Sequence, residues 1–171
     1  MRTRVFSTTN ENNLEHLTAL EKSWVTNTAS LTTRLRQLTH NEIKLELFYD
    51  NWGDADTSSR EALKINPDEK TWIRHIEWRY NTIAWLSCDV VIPNSSITSE
   101  TEELKLIGKG SIGDTLFKDK TLQRSDFSFF KTDENTITRH SVLLYKGQPL
   151  LVIETFLPAF FEAIRVTDGD N

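Results

Sequence analysis

The sequence predicts an α+β domain built on a six-stranded antiparallel sheet with helices covering one face. Three observations carry that expectation. Apolar residues recur at helical spacing near the N-terminus, whereas from residue 43 onward they begin to alternate with polar ones, the period of a half-buried strand. The joints between the later strand-like runs are only two to four residues long, and joints that short pair their strands antiparallel. The 171 residues, 37% of them hydrophobic and five of them Trp, suffice to bury one core without requiring a second.

The elements follow in order. Residues 1–10 are polar and read as a loose tail, and a domain is expected over 11–165, with a second short tail at 166–171. Leu14, Leu17, Leu20 and Trp24 share one face of a helix that Asn10 or Asn12 can cap. Ser30 is placed to cap a second helix carrying Leu31, Leu35 and Leu38. Ile43, Leu45 and Leu47 then alternate with Lys44 and Glu46 as a strand. A turn-rich loop over 52–59 precedes one or two helical turns at 60–65. Residues 71–80 and 83–92 form two aromatic and β-branched runs around Asn81-Thr82, a hairpin signal, and Pro93 stops the second run because it has no N–H for the ladder. Ser99 with Glu102 three residues later reads as a capping box opening a helix to residue 107. Three further strands are expected at 122–131, 136–145 and 149–157.

Charge and composition exclude several functions. Acidic residues outnumber basic ones 25 to 20, and no two basic residues are adjacent, so there is no patch for a phosphate backbone or an anionic membrane surface. Neither nucleic acid nor membrane is an expected partner. The N-terminus lacks the apolar run of a signal peptide, and the longest apolar stretch, 149–164, is broken by Glu154, Pro158 and Glu162. A cytoplasmic protein acting as a monomer is the expectation.

Most chemical motifs are missing. The four histidines are scattered and Cys88 stands alone, so neither a zinc frame nor a disulfide is available. No nucleophile elbow is present. Gly108-Lys109-Gly110-Ser111-Ile112-Gly113 matches the dinucleotide fingerprint, yet it follows a helix-like segment and leads into antiparallel strands, the wrong setting for a pyrophosphate turn. It reads instead as a glycine-rich joint. Two charges inside apolar strands are more informative. Period two sets Arg74 on the face of Trp72, Ile76 and Trp78, and sets Glu154 with Leu150, Val152 and Phe156. A charge on an apolar face needs a partner or a ligand. Either Arg74 and Glu154 pair with each other, or they are an anion hook and a carboxylate within one pocket.

Three blocks in order, W-I-R-H-I with A-W-L-S-C-D-V-V-I-P, then I-G-K-G-S-I-G-D-T-L-F, then R-H-S with K-G-Q-P-L-L-V-I-E-T-F-L-P-A, resemble the chorismate pyruvate-lyase family. The resemblance runs from Ser30 to Ala159, and the block ending E-T-F-L-P is its most specific part. It implies a six-stranded antiparallel sheet with helical flaps over an internal site, and conversion of chorismate to 4-hydroxybenzoate and pyruvate for ubiquinone synthesis. It also implies that no metal or cofactor is used. Matched residue by residue, Arg74 would hold the ring carboxylate, and Glu154 would sit near the 4-position oxygen and help the proton move. Leu31 and Ile112 match positions that contact the ligand. Cationic donors suit a substrate with two carboxylates, and apolar walls suit an aromatic product.

One position departs from the family pattern. Where that pattern has a second arginine before the strand ending V-I-P, taken to meet the substrate's side-chain carboxylate, this chain has Asp89. Facing the same ligand, a carboxylate there would repel it by roughly 4 kcal/mol at an effective dielectric of 20 and 4 Å. His140 replaces another family arginine, and Arg79 or Arg139 could substitute for the missing cation. Two readings follow: a lyase, or an impaired or repurposed homologue that binds a small aromatic ligand.

Overall fold

The computed structural model describes residues 14–133 and 135–169. The expected tail at 1–10 and the start of the first helix lie outside the described residues. Five helices and seven strands follow in the order α1 (Ala19–Val25), α2 (Leu31–Leu38), β1 (Lys44–Gly53), α3 (Thr57–Leu63), β2 (Thr71–Tyr80), β3 (Ile83–Pro93), α4 (Ile112–Leu116), β4 (Gln123–Arg124), β5 (Ser128–Asp133), β6 (Thr136–Tyr145), β7 (Gln148–Phe156) and α5 (Pro158–Gly169). Short 3₁₀ turns at Asn94–Ser96 and Glu102–Leu106 link β3 to α4.

Local chemistry explains most ends. Thr18, Ser30 and Asp56 cap α1, α2 and α3, their side-chain oxygens accepting from the N–H groups of Glu21, Thr33 and Ser59. Asn81 and Thr82 both hold positive φ, the two-residue turn that matches strand twist. The capping box at Ser99 does not form. Thr98 instead accepts from the Glu100 N–H, and the segment runs as a 3₁₀ turn from Glu102. The loop expected from residue 52 begins as strand, because β1 continues pairing with β2 through Gly53. The tail expected at 166–171 is helical as far as Gly169, since α5 opens on Pro158, a residue suited to the first helical position.

All strand pairs are antiparallel, in the order β1-β2-β3-β7-β6-β4, with β5 also pairing β6. The sheet thus has six lateral positions, and the strand expected at 122–131 is split into β4 and β5 along one edge. One sheet face carries Trp24, Leu35, Phe156, Phe160 and Phe161 in a large cluster beneath α1, α2 and α5. Fully burying each such side chain stabilises the fold by roughly 1.5–3 kcal/mol. Further along the same face, Leu104 and Leu116 pack with Val90, Leu143 and Val152 beneath the 3₁₀ turn and α4. The opposite face is not bare of helix. Leu63 of α3 packs there on Val91, Leu151 and Ile153, so α3 departs from the expectation that helices cover one face only.

Candidate functional site

Between the two clusters on the helix-covered face lies a small cavity. Its floor is the sheet, through Ile76, Cys88, Val90, Leu143 and Val152, and its cover is the start of α2 and the 111–117 segment. Leu31, Arg74, Ile112 and Glu154, the four site residues expected from sequence, all line it. About 60 Å³ of free volume is enclosed. That is less than the roughly 150 Å³ cavity that takes up benzene, so a ring-sized ligand requires the cover to move.

Two β-bulges set the neighbours of Arg74. In β1 an extra residue, Phe48, shifts the register so that Asp50 stands opposite Arg74. Asp50 Oδ2 accepts from Arg74 Nη1 at 3.2 Å, and Asp50 Oδ1 accepts from Trp72 Nε1 at 2.8 Å. In β3 an extra residue, Trp85, shifts the register between Trp78 and Arg79, so that Val90 stands opposite Arg74. Arg74 is 1% exposed. Its guanidinium also donates to two carbonyls of the glycine joint, Gly108 O at 2.6 Å and Gly110 O. Its Nε is buried without a partner among the described residues. Burial pulls its pKa down from the ordinary arginine value, and Asp50 opposes that shift.

The glycine joint therefore closes over the guanidinium rather than over a nucleotide. Gly108 adopts φ +60°, which glycine takes without strain. A Cβ on Gly113 would stand 3.2 Å from Thr32 Oγ1 and 3.3 Å from Ser111 Oγ, so glycine lets the cover approach α2. Thr32 and Ser111 share a hydrogen bond of 3.1 Å, and Arg36 holds Asp114 with two bonds of 2.8 and 3.0 Å.

Glu154 and Arg74 do not pair with each other. Glu154 Oε2 accepts from Arg139 Nε at 2.6 Å, and Arg139 is wholly buried. Cys88 stands on the floor between Ile76 and Glu154 and is buried; burial, then Glu154 and Asp89, push its thiol pKa well up.

Asp89 is not in the cavity. The bulge at Trp85 puts Cys88 and Val90 on the cavity face and turns Asp89 to the other side, where its Oδ1 lies 2.5 Å from His75 Nδ1. The repulsion expected from this residue has no geometric basis. Arg79 does not replace a missing cation either, since it pairs with Glu77 and with Glu46 at 3.2 Å. The sequence reading missed Arg124, the second arginine lining the cavity. Its only sequence signal was its place in an expected strand.

Among the described residues, no three His, Cys, Asp or Glu side chains gather as metal ligands, and no helix is long and apolar enough to cross a membrane. Fold and site together define an antiparallel α+β protein that encloses a small apolar cavity bearing two arginines and a glutamate. The chorismate lyase family model matches residues 5–166. A "probable chorismate pyruvate-lyase" of Coxiella burnetii is 33% identical over 159 residues, covering 84% of this chain and 86% of that one. A chorismate pyruvate-lyase of Erwinia tasmaniensis is 29% identical over 143 residues, covering 84% and 81%. Among solved structures, a possible transcriptional regulator, YydK of Bacillus subtilis, aligns with TM-score 0.49 at 13% identity, over 70% of this chain and 60% of that one. The chain belongs to the chorismate lyase family.

Proposed function

We propose that this protein is a chorismate pyruvate-lyase, converting chorismate to 4-hydroxybenzoate and pyruvate. The observation that carries the reading is the joint placement of Arg74, Glu154, Leu31 and Ile112 on one enclosed cavity. The reaction is an internal elimination. The enol-ether C–O bond of the side chain breaks, the ring loses the hydrogen on the carbon bearing its hydroxyl as a proton, and that electron pair completes the aromatic ring. The departing enolpyruvate takes up a proton and becomes pyruvate, so no oxidant or reductant is needed.

In this reading the Arg74 guanidinium holds the ring carboxylate, using the donor that the protein leaves unpaired. Glu154 stands near the ring oxygen and relays the proton, with Arg139 keeping its carboxylate oriented. Leu31 and Ile112 close the apolar walls against the ring. The covering segment excludes water once the ligand is inside. The protein acts as a monomer in the cytoplasm, without a nucleic acid partner, and supplies the aromatic precursor of ubiquinone. The impaired-homologue reading rested on Asp89 facing the ligand, and Asp89 lies on the other face of the sheet.

The test couples chorismate turnover to pyruvate reduction by lactate dehydrogenase. One pyruvate should appear per chorismate consumed, with 4-hydroxybenzoate as the only aromatic product. Arg74→Ala should lower kcat/KM by roughly 10- to 150-fold, the equivalent of about 1.5–3 kcal/mol of charge-assisted bonding. No pyruvate above the uncatalysed rate, at enzyme concentrations equal to substrate, would overturn the reading.

A further inference from the structure

We propose that Arg124 receives the second carboxylate of a dicarboxylate ligand, and that this contact makes the cavity select such a ligand over a monocarboxylate. The inference rests on the lyase reading only for the identity of the two acids. There, the substrate carries one carboxylate on the ring and one on the leaving side chain, whereas the ring product carries one.

Placement comes first. Arg124 ends the two-residue strand β4, opposite Leu143 of β6, and so shares the cavity face with Leu143 and Val152. Arg74 is on β2, and β3, β7 and β6 lie between them. Four strand spacings separate the two backbones by roughly 19 Å. Both side chains nonetheless line one cavity, so they reach inward over its floor from opposite ends. That is the geometry of a clamp for a molecule with an anionic group at each end.

The second observation is that Arg124 forms no ion pair among the described residues. Its Nε and Nη1 are buried with no hydrogen-bond partner among the described residues. The rings of Phe127 and Phe117 lie 4.9 and 5.5 Å from its guanidinium carbon, which favours a cation but accepts none of its in-plane N–H groups. Two other charged groups act on it: Glu154 attracts and Arg139 repels. Glu154 is already bound to Arg139. Burial lowers the pKa of Arg124 below the ordinary arginine value. An arginine does not discharge at working pH, and none of the described residues gives it a paired anion, so its free N–H groups are open to the carboxylate of a ligand. Arg74 differs, because Asp50 pairs with it.

The experiment compares chorismate with 4-hydroxybenzoate on the full chain and on Arg124→Met and Arg124→Lys. Arg124→Met should reduce kcat/KM for chorismate by roughly 10- to 150-fold, the loss expected for charge-assisted bonds. Its calorimetric Kd for 4-hydroxybenzoate should stay within about threefold of the parent's, and Arg124→Lys should fall between parent and Met variant for chorismate. A thermal melt at or above the parent's is expected for Arg124→Met, because a buried unpaired charge has gone. Equal losses for both acids, or no loss for chorismate, would overturn the proposal. Should the parent bind chorismate without releasing pyruvate, the lyase reading fails alone, and the selective loss is then read from chorismate's Kd. A parent that binds neither acid overturns both.

Discussion

Arg139 donates through Nε to Glu154 Oε2 at 2.6 Å across the adjacent strands β6 and β7, and also donates through Nη1 to the carbonyls of Val25 and Asn27 at 2.7 Å each. One guanidinium thus fixes a cavity carboxylate and ties the sheet to the connection between α1 and α2. Removing it would leave a mostly buried carboxylate without its cation. Arg139→Ala should destabilise the fold by about 3–5 kcal/mol, read from urea unfolding. Glu154→Gln keeps an acceptor for Arg139, so it should lower stability less while cutting pyruvate release at least tenfold. A Glu154→Gln variant with full turnover would remove Glu154 from the proton path.

Asp89 supplies a prediction of the opposite kind. It faces away from the cavity and contacts His75. Asp89→Asn should leave the KM for chorismate and the Kd for 4-hydroxybenzoate within about twofold of the parent's, the range of surface changes of roughly ±0.5 kcal/mol. Asp89→Arg should bring no gain in turnover. A gain of tenfold or more would mean that residue 89 reaches the ligand.

Why Asp89 misleads is a matter of register. The Asn81-Thr82 turn pairs Tyr80 with Ile83, and an unbroken hairpin from that turn would set Asp89 directly opposite Arg74. The bulge at Trp85 slips the register by one residue and flips every side chain beyond it to the other face. The clue is the consecutive apolar run Ala84-Trp85-Leu86, which a strict alternation does not produce. Arg74 and Glu154 were legible because each is a charge on the apolar face of a strand, Arg74 with Trp72, Ile76 and Trp78, and Glu154 within the continuous apolar run from Leu150 to Leu157. Arg124 was not. Its strand pairs for two residues only, and the unpaired state of its Nε and Nη1 among the described residues is a fact of three dimensions. The pairing of Arg74 with Asp50 likewise depends on the extra residue Phe48 in β1, and that of Glu154 with Arg139 on the register of the β6–β7 hairpin.

The cover over the cavity should be sensitive to one methyl group. Gly113→Ala would bring a Cβ to 3.2 Å from Thr32 Oγ1 and 3.3 Å from Ser111 Oγ, tighter than ordinary contact. Overpacking of this kind costs about 1–3 kcal/mol. Because the strain falls on the closed cover, 4-hydroxybenzoate should bind more weakly and dissociate faster in stopped flow. Asp114→Ala breaks the half-exposed pair with Arg36, worth about 0.2–1 kcal/mol, and should have the same sign with smaller size. Unchanged dissociation in both variants would mean that the cover does not gate release.

His140 gives the protein a pH dependence whose sign is fixed by burial. It lies on the sheet face away from the cavity, beside the Phe130 ring at 5.0 Å, in a shallow hollow that Lys64 and Asp126 also border. Burial pulls its pKa below the ordinary histidine value of 6.5. As pH falls through about 6.5, the unfolded chain takes up a proton that the folded chain refuses, so stability falls with pH until the lower folded value is passed. Above about pH 7 this residue contributes no slope. The parent's Tm should therefore decline between pH 7.5 and 5.5, above the range where carboxylates protonate. His140→Gln should flatten that decline while leaving the Tm at pH 7.5 nearly unchanged. Each unit by which the folded pKa is lowered corresponds to 1.36 kcal/mol. Identical slopes in parent and variant would show that His140 takes up its proton as readily in the folded chain as in the unfolded one.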